Sequence, residues 1–103
     1  MCQELHDELQ ALLNEDGIFL YPTHPTPAPY HNEPVLRPFN FAYTAIINVL
    51  GFPATAIPLG LSTSGLPIGI QVVGGLHMDR LTMAVAVEME KAFGGWVPPK
   101  INV

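Results

Sequence analysis

Several groups of residues could carry chemistry, and their spacing decides whether they do. Ser62, Thr63 and Ser64 stand beside Gly65, a pattern that suggests a serine nucleophile. A nucleophile elbow needs Gly-x-Ser-x-Gly between a strand and a helix. Here the residues lie between two apolar runs and read as a turn. A Ser-Lys arrangement needs a lysine close by. The lysines are Lys91, late in a helical pattern, and Lys100, near the end of the chain. His6, His24, His31 and His77 lack the number and spacing of a metal set. Gly65, Gly69, Gly74 and Gly75 fit neither G-x-G-x-x-G nor a phosphate-binding loop. Close packing of strand on helix accounts better for Gly69 and Gly74. No metal or cofactor is expected, and on these residues alone the chain shows no catalytic set.

The elements that would position any site centre on Gly51 to Gly75. Ala54 to Leu59 and Ile68 to Val73 read as two strands joined by the turn residues Leu61 to Pro67. Such a pair is marginal in water and needs helices to cover it. Phe39 to Leu50 fits one such helix, closed by Gly51 and Pro53. It is apolar over most of its surface and is expected to be buried, with Asn48 needing buried partners. Asp79 is a good N-cap for a second helix ending near Gly94 and Gly95, with a core stripe of Leu81, Ala84, Val85, Met89 and Ala92. Upstream, Leu5, Leu9, Leu12 and Leu13 share one face of a surface helix that Gly17 can end. Ile18 to Tyr21 reads as a short buried strand. Six prolines between Pro22 and Pro38 predict a long irregular loop. Its aromatic groups, His24, Tyr30, His31 and then Phe39, favour a wall of a site over disorder. Trp96 to Val103 is a proline-containing tail.

Composition narrows the class further. The 103 residues are 49% apolar and 13% charged, about half the usual charge. No Asp, Glu, Lys or Arg occurs between Arg37 and Asp79. A free-standing domain this small exposes much surface, so the chain looks like the interior of a larger protein. Phe39 to Leu50 is too short to span a membrane as a helix, and Pro53, Pro58 and Pro67 would break backbone pairing there. With a net charge of −5 and four Lys and Arg, the chain has no basic stripe for nucleic acid. The lone Cys2 can form no internal disulfide. Residues 1 to 16 hold five acids and no Lys or Arg, unlike a signal peptide.

One resemblance runs through most of the chain. Asn48-Val-Leu-Gly51-Phe-Pro53-Ala, an apolar strand with Pro58, then Gly65-Leu-Pro67-Ile-Gly69-Ile-Gln71, resembles the C-terminal part of the amidase-signature enzymes. The flanks are similar to type 2 fatty-acid amide hydrolases: Leu5-His-Asp-Glu-Leu9, Asp16 to Pro22, Arg37 to Thr44 and Glu90 to Trp96. The implied fold is α/β: a piece of an α/β/α domain, with a mixed sheet containing a central strand pair flanked by helices. Residues 1–103 would be one incomplete domain. Family members cleave amides with a Ser-Ser-Lys set that the resemblance places upstream of this segment, so no catalytic residue is expected here. The helix before Asn48 would line an acyl-chain channel, with wall positions Pro38, Phe41 and Ala45, the same stripe that i, i+3, i+7 spacing gives. A further wall position would fall near His77, which departs from the large apolar type expected. Ordinary core or loop packing explains the same four residues equally well, since apolar pockets and cores look alike in sequence.

The resemblance implies a lipid amide as substrate, the remaining amidase domain as partner, and membrane association through a segment outside these residues. The alternative is a stand-alone structural or interaction module, dimerising through its sheet edge. The two differ in the size of the native product. An antibody to residues 24–30 is expected to detect a band several times heavier than 11.2 kDa in extracts of the source cells. A single band at that mass supports the module.

Overall fold

Helices and strands both occur along residues 1–101, the part that the computed structural model describes. In order they are α1 (Cys2–Leu13), β1 (Ile18–Pro22), α2 (Glu33–Leu36), a 3₁₀ turn (Pro38–Phe41), α3 (Ala42–Leu50), β2 (Ala54–Leu61), β3 (Pro67–Gly74) and α4 (Asp79–Phe93). The strands form one sheet in the order β1-β3-β2. Helix and sheet combine as the α/β expectation requires, and these three strands pair antiparallel throughout. The tail has no regular structure from residue 94 to 101, and the rest of the expected tail, residues 102 and 103, lies outside the described residues.

The hairpin of β2 and β3 matches the two apolar runs. Its turn is closed by Gly65 N–H donating to Ser62 O at 2.9 Å and Ser62 N–H to Leu66 O at 2.7 Å. The Ser62 and Ser64 hydroxyls sit 2.9 Å apart and serve the turn, as Leu66 N–H donates to Ser62 Oγ. The register shifts between Pro58 and Gly60, a bulge that accommodates a proline within a strand.

Register sorts the sheet into two faces. Thr55 and Val72 are partners on the face that α4 covers, where Thr55 Oγ1 donates to Thr82 Oγ1 at 2.8 Å. Gly74 lets α4 approach, because a Cβ there would lie 2.9 Å from Thr82 Cγ2. Gly69 departs from the helix-packing expectation. Its missing Cβ makes room for the Ile57 carbonyl of the neighbouring strand. On the opposite face Val73 joins Leu13, Ile47, Leu50 and Phe52 in a core supplied by α1 and α3. Three layers result, helix on sheet on helix.

Several local expectations need correction. β1 is exposed rather than buried, with Leu20 half open, because it pairs only with β3 and no layer covers it. α3 buries Ile47 and Leu50 alone; Val49 is 71% exposed and Asn48 also faces outward. One side of α3 meets the sheet, and among the described residues no element covers the other. The proline-rich loop is interrupted by the single turn α2, where Glu33 accepts from Tyr30 N–H at 3.1 Å. Asn14, not Gly17, takes the positive φ that ends α1, which Asn tolerates. Asp79 lies within the first turn of α4, after Met78, and makes no capping bond. The inner stripe of α4 is Leu81, Thr82, Val85, Ala86 and Met89, while Ala84 and Ala92 are exposed. Gly51 behaves as expected, ending α3 at φ 76 with its N–H shared by Ile47 O and Asn48 O.

Neighbouring leucines of α1 test this packing. Leu13 is 3% exposed and Leu12 is 79% exposed. Leu13→Ala is expected to cost about 2–5 kcal/mol and Leu12→Ala less than about 0.5 kcal/mol. Urea unfolding of the two variants measures both.

Candidate functional site

An open groove of about 600 Å³ lies at the turn end of the hairpin. Thr23, His24 and the prolines up to Pro29 form one wall. Ala56 to Pro58 of β2 and Pro67 to Ile70 of β3 form the floor, and Trp96 closes one side. A smaller cleft of about 170 Å³ continues past Trp96, between Ala56 to Pro58 and Ala86, Val87 and Glu90 of α4. The lining is apolar apart from the Thr23, Thr26 and His24 side chains and Glu90. Such a surface suits an apolar ligand with few polar groups.

The loop forms one wall of the groove, but of the aromatic groups named from the sequence His24 alone lines it; Tyr30, His31 and Phe39 are exposed outside it. Proline fixes much of its backbone, and His24 pins its start. The His24 Nδ1 lies 2.9 Å from Thr26 O and 3.2 Å from Thr26 Oγ1. Its ring meets Phe41 edge-on at 6.2 Å. Tyr21 and Tyr43 pack at 5.4 Å beside them. The loop and the start of α3 therefore stand together.

The proposed wall positions divide between two places. Pro38 and Phe41 lie on the 3₁₀ turn and Ala45 on α3, and all three are exposed. Phe41 reaches the groove only through His24, which lines it. His77 stands apart in the β3–α4 connection, exposed, at φ 63. None of the four lines the groove itself. The floor residues and Trp96 were not singled out in sequence. Trp96 follows two glycines in an irregular tail, and no periodicity marks it.

No cluster of His, Cys, Asp or Glu suited to a metal ion occurs among the described residues. Asp7 has its carboxyl held below the usual aspartate range by hydrogen bonds from His6, then from Gln3. It is fully exposed on α1, which lines no part of the groove. No helix among the described residues is long and apolar enough to cross a membrane.

A family model described as Amidase matches residues 1–83. The chain belongs to the amidase family. It is 58% identical over 97 residues to fatty-acid amide hydrolase 2 of Homo sapiens, covering 94% of this chain and 18% of that protein. It is 54% identical over 99 residues to fatty-acid amide hydrolase 2-B of Danio rerio, covering 96% and 19%. Among solved structures, a glutamyl-tRNA(Gln) amidotransferase subunit of Thermotoga maritima superposes with a TM-score of 0.81 at 26% identity. That match covers 99% of this amidase chain and 24% of the other. The chain therefore spans about a fifth of the length of the curated relatives it matches.

Trp96 is the single tryptophan and borders both cavities. A long-chain fatty amide entering the groove is expected to shift its emission to the blue, saturably. Titration with the amide and with a water-soluble short amide measures this; identical responses to both count against an apolar site.

Proposed function

We propose that this chain is the C-terminal part of an amide hydrolase that cleaves the carbon–nitrogen bond of lipid amides. The supporting observation is its 58% identity, across nearly its whole length, to a protein named fatty-acid amide hydrolase 2. The apolar groove and the exposed aromatic face of the 3₁₀ turn supply surface of the right chemistry. In this reading the Ser-Ser-Lys set lies in the rest of the enzyme, and this segment holds the acyl chain. Pro38, Phe41 and Ala45 form part of the channel wall, with His77 at a further, less typical position. Each buried CH₂ of the acyl chain contributes roughly 0.8 kcal/mol. The segment thus sets substrate class, not the bond-breaking step. The parent enzyme acts in lipid metabolism at a membrane, and the remaining amidase domain is the partner that covers the open surfaces.

Two assays test the proposal. The purified 103-residue chain is expected to show no turnover of a long-chain fatty amide. Human fatty-acid amide hydrolase 2 carrying these residues in place of its own is expected to retain it. In that chimera Phe41→Ala is expected to lower the ratio of kcat/KM for long-chain over short-chain amides about tenfold, equivalent to about 1.4 kcal/mol. An equal loss for both substrates removes Phe41 from the channel. An inactive but folded chimera counts against the proposed activity.

A further inference from the structure

Gln71 is the polar side chain most deeply committed to the sheet, at 4% exposure, and none of the roles above uses it. It sits mid-strand on β3, opposite Tyr21 of β1 and Ala56 of β2. Its Nε2 donates to Pro22 O at 3.1 Å and to Tyr43 O at 2.9 Å. Both partners are carbonyl oxygens, so the amide nitrogen must face them, which settles the orientation of the group. The two carbonyls belong to different elements. Pro22 is the last residue of β1, directly before the loop residues Thr23 to Pro29 that wall the groove. Tyr43 is in the first turn of α3, directly after Pro38 and Phe41.

We propose that Gln71 is a positioning residue, a clip whose two amide hydrogens fix the proline-rich wall of the groove against the start of α3. It sets how far apart the loop and the aromatic face of the 3₁₀ turn stand, and hence the length of acyl chain they admit. This last step rests on the function proposed above. Two ring contacts bridge the same seam, Tyr21 on Tyr43 at 5.4 Å and His24 on Phe41 at 6.2 Å. Flat ring contacts can slide, whereas two hydrogen bonds from one rigid amide define direction as well as distance. Burying the amide with both donors occupied avoids the penalty of an unpaired polar group; an apolar residue of equal size would fill the space and leave the seam unfixed. A core role alone would be served as well by such a residue.

The clip is tested without any assay of activity. In NMR spectra of the 103-residue chain, the Gln71 side-chain NH₂ protons are expected to exchange slowly with solvent. Gln71→Met is expected to weaken the ring contacts Tyr21–Tyr43 and His24–Phe41, while the cross-strand contacts Thr55–Val72 and Ile57–Ile70 persist. Fast exchange of the amide, unchanged ring contacts, or uniform loss of all contacts overturns the proposal. Gln71→Glu is isosteric and, protonated, can serve one of the two carbonyls. It is expected to fall between wild type and Gln71→Met. Failure of both variants to fold makes Gln71 a stability residue and likewise overturns the clip. In the chimera, Gln71→Met is expected to lower the long-chain to short-chain ratio of kcat/KM about fivefold. An intact clip in an inactive chimera would sink the functional reading alone; an unaltered ratio with altered ring contacts would sever the clip from chain-length selection.

Discussion

Burial of β3 on both sides is the constraint on which the rest of the structure depends. Val72 and Val73 are adjacent, so their side chains point to opposite faces, and neither has any exposed surface. One face must therefore receive α4 and the other must receive α1 and α3. β3 also takes a strand on each edge, so its backbone is paired on both sides. The double burial holds from Gln71 to Gly74, while Pro67 to Gly69 at the turn end of the strand are exposed. Gly69 admits a neighbouring carbonyl, and Gln71 satisfies two.

What the sequence disclosed follows from how local each signal is. The hairpin was legible because its turn residues and apolar runs are consecutive, and α4 because its glycines and spacing mark both ends. Burial was harder to read. Ile18 to Leu20 have the composition of a core strand, yet β1 lies at the sheet edge. Phe39, Ile46 and Val49 are as apolar as Ile47 and Leu50, yet of these five the last two alone are buried in the core. Composition records what a residue tolerates; which side is covered depends on partners distant in sequence. The groove shows the same division. Its proline-rich wall was legible as a loop, although of the aromatic groups His24 alone lines the groove. Its floor was hidden, because Ile57 and Ile70 look the same whether they face a helix or a ligand. Gln71 appeared in sequence only as part of a family pattern. In the fold the carbonyls of Pro22 and Tyr43 converge on it from two different elements.

The surface follows a common theme. Low charge and many exposed apolar side chains, Phe39 and Phe41 among them, describe a body better suited to contact with more protein than with water. This supports the reading of the chain as one portion of an amidase, since it spans about a fifth of its curated relatives. Within that portion β3 packs against α1, α3 and α4, and the proline-rich loop meets the 3₁₀ turn where His24 contacts Phe41.

The order of the strands has a consequence for synthesis. β2 and β3 are joined by a tight turn, and a hairpin of that kind closes in about 1–10 μs once both halves exist. β1 pairs instead with a strand made much later, Leu20 meeting Val72. Ribosomes add roughly 5–20 residues per second, so β1 spends several seconds outside the ribosome before its partner emerges. During that interval Ile18, Phe19 and Leu20 form an open apolar edge. The three prolines, Pro25, Pro27 and Pro29, and few apolar anchors of the following loop give this waiting strand little to collapse onto. Pairing with β3 then closes one edge of β1 and leaves the other open, with Leu20 half exposed in the finished fold.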